Sequence, residues 1–184
     1  MLDRVEQRIV ELIDQHAEEI IAFGTDIWEH AETGFKEYRT SKKMTEALEK
    51  LGLKVETGIG ITGLKSYLKD PETTEGLNIC LMGEMDALPM PLHPSAWAET
   101  GAAHACGHNA QMTGVVGAAM ALTDPEIRDA IEGNVTFFGV PSEEFSSDTE
   151  FKAKLIKEGK IGCGGGKSEM IRLGVMNDVD ITVC

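Results

Sequence analysis

The chain has 184 residues, 42% hydrophobic, 26% charged and 5% aromatic, which suits one hydrophobic core and one domain. Lys and Arg number 17 against 31 Asp and Glu, a formal charge of −14, which argues against general nucleic-acid binding and docking on anionic membranes. No apolar run approaches the roughly 18 residues of a spanning helix, the Met1-Leu2-Asp3-Arg4 start is no secretory leader, and four scattered cysteines (Cys80, Cys106, Cys163, Cys184) make no disulfide scaffold, so the expected compartment is the reducing cytoplasm.

Val5, Ile9, Leu12, Ile13, Ile20, Ile21, Phe23 and Ile27 recur at helical spacing between polar residues. They predict one long amphipathic helix from Asp3 to about His30, with any interruption at Gly24-Thr25-Asp26. After a loop through Thr33-Gly34, Thr40 or Ser41 is expected to cap a second helix through Met44, Leu48 and Leu51, stopped by Gly52. Residues 53–56 and 62–68 read as strands joined by a Gly58-Ile59-Gly60 turn, and 70–76 as a polar loop. The apolar run 77–82 suits a buried strand. Residues 83–108 form a long irregular stretch rich in Pro, Ala and His, and a connection that long is more often functional than idle. A closely packed helix over 111–122 and a buried strand over 134–140 follow, the strand ending at Pro141-Ser142-Glu143-Glu144. Helices are expected over 149–158 and 167–173, separated by Gly162-Cys163-Gly164-Gly165-Gly166, and a strand over 179–184. Strands alternating with helices predict an α/β sandwich, with no internal repeat or interdomain linker.

The densest chemical cluster is His104-Ala-Cys106-Gly-His108, preceded by Glu84-Met85-Asp86 and followed by Glu143-Glu144. Thiolate, imidazole and carboxylate are the ligands of Zn²⁺ and its neighbours. Asp86 and the Glu143–Glu144 pair each follow an apolar strand, so both belong at carboxyl strand ends, where open α/β sheets bind ligands. Paired glutamates suit a hydrolytic metal site: one holds metal while its neighbour takes a proton from water. His16 belongs on the surface, His93 in an exposed loop, and His30 with Glu32 in structural packing. The Gly166-Lys167-Ser168 ending of the glycine run lacks the glycine a phosphate-binding loop needs five positions earlier, where Ile161 stands. His30-Ala-Glu32 starts a zinc-deaminase signature that no Pro-Cys-x-x-Cys completes. The zinc-protease helix and nucleophile-elbow motifs are absent from the sequence.

Gly83-Glu84-Met85-Asp86-Ala87-Leu88-Pro89, then His104-Ala-Cys106-Gly-His108-Asn109, then Pro141-Ser-Glu143-Glu144 resemble the M20 metallopeptidase family, closest to its amidohydrolase branch of aminoacylases, auxin-conjugate hydrolases and aminobenzoyl-glutamate hydrolases. The segment His30-Ala-Glu-Thr-Gly-Phe-Lys-Glu37-Tyr-Arg-Thr40-Ser is similar to the one this branch carries ahead of its second helix. The resemblance implies a zinc-peptidase-like three-layer sandwich, with a mixed or parallel sheet between helices. It implies two divalent metal ions (Zn, Mn or Co) and hydrolysis of an amide bond in N-acyl amino acids or small peptides. Carried over residue by residue, Cys106 is the ligand shared between the metals and His108 a ligand to one. Glu143 is the general base, Glu144 a metal ligand, and Asp86 supports the site from beside the metals. His104 receives no ligand role, and Asn109 stands where many relatives carry Asp. Relatives continue into a lid (dimerisation) domain and supply two more metal-binding histidines, whereas no histidine follows His108. The expectation is therefore an N-terminal part of a catalytic domain, inactive alone, whose cut sheet edge at Cys184 invites self-association as a homo-oligomer. The alternative is a non-catalytic chain that binds only metal or a partner.

Overall fold

The N-terminal apolar stripe folds into two helices, α1 (Arg4–Gln15) and α2 (Ala17–Glu29), in the computed structural model, which describes residues 3–145 and 148–184. The predicted single helix is thus corrected: the break falls at His16, not Gly24. The turn there lets Leu12 pack with Ala121 and Ile127, while Ile27 joins the main core. Gly24 serves close approach instead, since a Cβ there would lie 2.2 Å from Thr113 Oγ1. The capping expectation is corrected too. α3 (Tyr38–Lys50) begins after Glu37, and Thr40 and Ser41 lie inside it. Its first amides are taken by the Glu32 carboxylate, from Arg39 at 3.1 Å and Thr40 at 2.8 Å, a cap reaching from too far away for a local motif to show.

β1 (Val55–Ile59) and β2 (Gly63–Tyr67) pair antiparallel with Ile59 opposite Gly63, so the turn sits later than expected, around Ile61, whose φ is +84°. β3 (Asn78–Glu84) follows, then the small ribbon of β4 (Leu88–Pro89) and β5 (Ala102–Ala103) inside the long connection. α4 (His108–Leu122) starts three residues before the expected bound, and α5 (Pro125–Ala130), capped by Asp124, was not foreseen. β6 (Asn134–Val140) has its predicted bounds, and α6 (Thr149–Lys157), α7 (Gly166–Arg172) and β7 (Ile181–Val183) complete the chain.

The five long strands form one mixed sheet in the order β1-β2-β6-β3-β7. β6 is antiparallel to β2 and parallel to β3, in register from Asn78↔Asn134 to Glu84↔Val140. Alternation along β6 sends Val135 and Phe137 into a core with Ile27, Met44, Leu48 and α4 residues Met112 to Ala119. Phe138 and Val140 face the other way, against Met82, Met170 of α7, and Val175 to Val179. Helices therefore cover both faces, a three-layer sandwich around a mixed sheet. Buried Lys65 pins the second face by donating to Asp178 and to the Val175 carbonyl, both at 2.6 Å. No helix among the described residues is long and apolar enough to cross a membrane.

α7 meets the end of β6 at Gly166, whose N–H donates to the Ser142 carbonyl at 2.8 Å and whose Cβ, if present, would lie 1.6 Å from the Pro141 carbonyl oxygen. Gly166→Ala is therefore expected to cost about 3 kcal/mol or more of stability. Gly164→Ala, which would meet only Phe145 at 3.6 Å, should cost under about 1 kcal/mol. Urea midpoints of the two variants check the contrast, and equal midpoints refute the packing argument.

Candidate metal centre

β3 and β6 finish side by side, so Glu84-Met85-Asp86 and Ser142-Glu143-Glu144 leave the sheet together. Cys106 and His108 arrive at the same place through Gly107, which caps α4 with φ +102°. His108 is the hub, with 2% of its surface exposed. Its Nδ1 lies 2.7 Å from the Asp86 carbonyl oxygen and 3.3 Å from Asp86 Oδ1. A carbonyl only accepts, so Nδ1 carries the proton and Nε2 turns to the acids. Nε2 stands 2.9 Å from Glu84, 3.7 Å from Glu143 and 4.0 Å from Glu144 carboxylate oxygens. Burial pulls the His108 pKa down, but the Asp86 hydrogen bonds and the Asp86 and Glu84 charges prevail and push it up to about 9.

Asp86, fully buried, accepts from Glu143 N–H at 3.0 Å and from Glu144 N–H at 2.9 Å, one on each oxygen. Burial alone would raise its pKa, yet His108 and those amides hold the carboxyl below its ordinary range.

Two sets of donor atoms each lie within 4.8 Å of one another: Cys106, His108 and Glu144, and Glu84, His108 and Glu143. The structure thus brings together Cys106, His108, Glu143 and Glu144, with Asp86 behind them. The Cys106 thiol pKa is pushed up, first by its contact with the Glu144 side chain, then by burial and the Glu144, Glu143 and Glu84 charges. A thiol and three carboxylates drawn this close call for positive charge, and a divalent cation among them would favour the thiolate. The mixed donor set fits Zn²⁺, Mn²⁺ or Co²⁺.

His104 joins neither donor set. It is buried with both ring nitrogens unpartnered, and burial, then the His108 charge, lower its pKa to about 4. Asn109 faces away, lining a groove with Ile21, Trp28 and Thr113. His30 packs edge-on against Trp97 at 5.3 Å, and half-buried His93 accepts from Ser95 N–H through Nδ1. The glycine run binds an anion of its own: Gly162 and Cys163 N–H both donate to Glu169 at 2.9 Å, and Arg172 pairs with the same carboxylate.

Sequence reasoning missed four residues. In the sequence Glu84 stands out only as a neighbour of Asp86, and Lys167 only within an incomplete phosphate-loop motif. Lys167 Nζ hydrogen-bonds Glu84 and lies 3.9 Å from a Glu143 oxygen. Glu37, with no exposed surface, accepts from Ser142 N–H at 2.7 Å and Thr62 Oγ1 at 2.6 Å. Lys152, 3% exposed, donates to the Glu144 carbonyl at 2.6 Å. Glu37 stands in the resembling N-terminal segment, which was the available signal; Lys152 had none, because only the fold brings α6 under the loop.

A mixed sheet between helices, with metal-type donors gathered at its carboxyl strand ends, is a zinc-peptidase-like architecture. Residues 80–180, more than half of the chain, match the model of peptidase family M20/M25/M40, and the chain belongs to that family. Thermostable carboxypeptidase 1 of Saccharolobus solfataricus is 34% identical over 165 residues, 88% of this chain and 37% of that protein. IAA-amino acid hydrolase ILR1-like 2 of Arabidopsis thaliana is 35% identical over 140 residues, 73% of this chain and 30% of that protein. Among solved structures, the Bacillus subtilis YXEP protein, a dinuclear metal binding peptidase from the M20 family, superposes with TM-score 0.69 at 26% identity, covering 92% of this chain and 42% of that one. This chain spans less than half the length of each.

Burial raises the Glu37 pKa from 4.5 to about 7, with a smaller push from the Asp86 charge. A carboxyl raised in the folded state contributes stability below its unfolded value and loses it as pH climbs through the folded one. Glu37→Gln, which mimics the protonated acid, should therefore gain on the unaltered chain by roughly 2–3 kcal/mol between about pH 5 and 8. Denaturant midpoints at the two pH values check this, and a constant difference overturns it.

Proposed function

We propose that this chain supplies part of a two-metal site with which its parent protein hydrolyses the amide bond of N-acyl amino acids or small peptides. The observation carrying this reading is the convergence of Cys106, His108 and Glu144 donor atoms within 4.8 Å around a histidine whose tautomer Asp86 fixes. The amino-acid hydrolase and carboxypeptidase relatives support the substrate class. Residues 1–184 are then the N-terminal part of a catalytic domain, with the lid domain and further ligands outside them and little activity in the chain alone. The span of 37% of the carboxypeptidase relative supports this division.

Cys106, His108 and Glu144, whose donor atoms lie within 4.8 Å of one another, would hold the metal. A divalent ion held there would supply Lewis-acid chemistry, favouring hydroxide by lowering the pKa of water from 15.7 towards about 7. Glu143, whose side chain is 35% exposed, is open to substrate. It takes the proton of the attacking water and returns it to the nitrogen of the leaving amine as the C–N bond breaks. Asp86 touches no substrate; it keeps His108 Nε2 aimed at the metals and sets the backbone of Glu143 and Glu144. Lys167 offsets the charge of Glu84 beside the base.

Metal content after dialysis is the first test. The unaltered chain should retain metal that a Cys106→Ala/His108→Ala double variant loses; absence of metal from both this chain and a longer one would favour the non-catalytic alternative. In a full-length protein, Glu143→Gln should keep its metal and lose turnover by about 10²–10⁴-fold. Retained turnover removes Glu143 from the mechanism.

A further inference from the structure

We infer that Glu37 and Lys152 are positioning residues, two jaws of a buried clamp that fixes the backbone carrying Glu143 and Glu144. The inference rests on the reading of those two glutamates as base and ligand. Ser142 has φ +50°, a left-handed conformation that serine rarely adopts, and its hydroxyl has no hydrogen-bond partner. Such a backbone persists only where its surroundings impose it. Here the Ser142 N–H goes to Glu37 and its carbonyl to Gly166 N–H. The next two amides go to Asp86, and the Glu144 and Phe145 carbonyls accept from Lys152 at 2.6 and 3.4 Å. Three buried charged groups thus grip one four-residue segment.

Burying charge is costly, and a surface turn ordinarily satisfies its backbone with water or neutral groups. The arrangement makes sense where a turn must resist opening, and this one carries carboxylates that repel Glu84 and each other. The jaws are also joined. Lys36, next to Glu37, pairs with Asp148 at 2.5 Å and lies over the Phe151 ring at 4.3 Å. Phe35 packs against Leu155, one turn beyond Lys152 on α6. The 35–37 segment and α6 therefore close on residues 142–145 as one unit.

The test uses the whole chain with Lys152→Met, Glu37→Leu and Glu37→Gln. Amide hydrogen exchange and Co²⁺ affinity, followed by the cobalt–thiolate absorption of Cys106, are the readouts. The first two variants should exchange faster at residues 142–145 while β3, β6 and α4 keep their protection, and should bind Co²⁺ about 10- to 100-fold more weakly. Glu37→Gln keeps an acceptor for the Ser142 amide and should restore both properties. Unchanged exchange and affinity overturn the clamp, as does protection lost evenly across the sheet, which would mark Glu37 and Lys152 as general stabilisers. If Lys152→Met does not fold, Lys152→Gln carries the same comparison. If the unaltered chain binds no Co²⁺, the exchange pattern alone decides the clamp, and the metal reading fails only if a longer chain also binds none.

Discussion

One buried carboxylate organises the carboxyl end of the sheet in this molecule. Asp86 stands just past β3 and has no exposed surface, yet it stays ionised because three donors converge on it: the Glu143 and Glu144 amides and the His108 ring. Those bonds tie the end of β3 to the end of β6 and to the start of α4. Each tie depends on the others. The parallel register of β3 and β6 brings the amides within reach, and the amides make the buried charge tolerable. Through its backbone carbonyl and its carboxylate, residue 86 also decides which nitrogen of His108 faces Glu84, Glu143 and Glu144.

The electrostatics follow from this centre outward. Glu84, Glu143, Glu144 and Cys106 crowd the exposed side of His108, a concentration of acid that neutral surroundings would not hold together. The protein answers locally, with Lys167 in front and Lys152 beneath. Neither is a neighbour in sequence of the acids it serves. Both come from the region after the Glu143–Glu144 turn, so the segment that follows β6 returns to neutralise what β3 and β6 set out.

This geography explains what could be read from the chain. Strand β6 was legible to the residue because a β-branched and aromatic run between turn signals leaves little choice. Cys106, His108 and Glu144 stood out because thiol, imidazole and carboxylate are the side chains able to ligate metal; the structure brings their donor atoms within 4.8 Å of one another. The helix break at His16 was not, since the pattern of apolar residues continues across it and only packing on Ala121 and Ile127 separates α1 from α2. The cap of α3 was misplaced onto Thr40 or Ser41 because Glu32 does that work from a preceding loop. Glu37 and Lys152 escaped for the same reason: a buried charge announces itself only through its partners, and those lie 105 and 8 residues away.

The glycine run shows how one signal can be sound and its obvious reading wrong. Adjacent amides at Gly162 and Cys163 do form an anion-binding cradle, as glycine-rich loops do. The anion is Glu169, supplied by the chain and held again by Arg172, so the cradle is spent on folding the loop against α7. With α7 so anchored, Gly166 can press against Pro141 more closely than any side chain would permit. That contact sets Lys167 beside Glu84. The glycines thus serve the site by the distance they allow between backbones, and the lysine that looked like part of a phosphate loop becomes the cation of a carboxylate cluster.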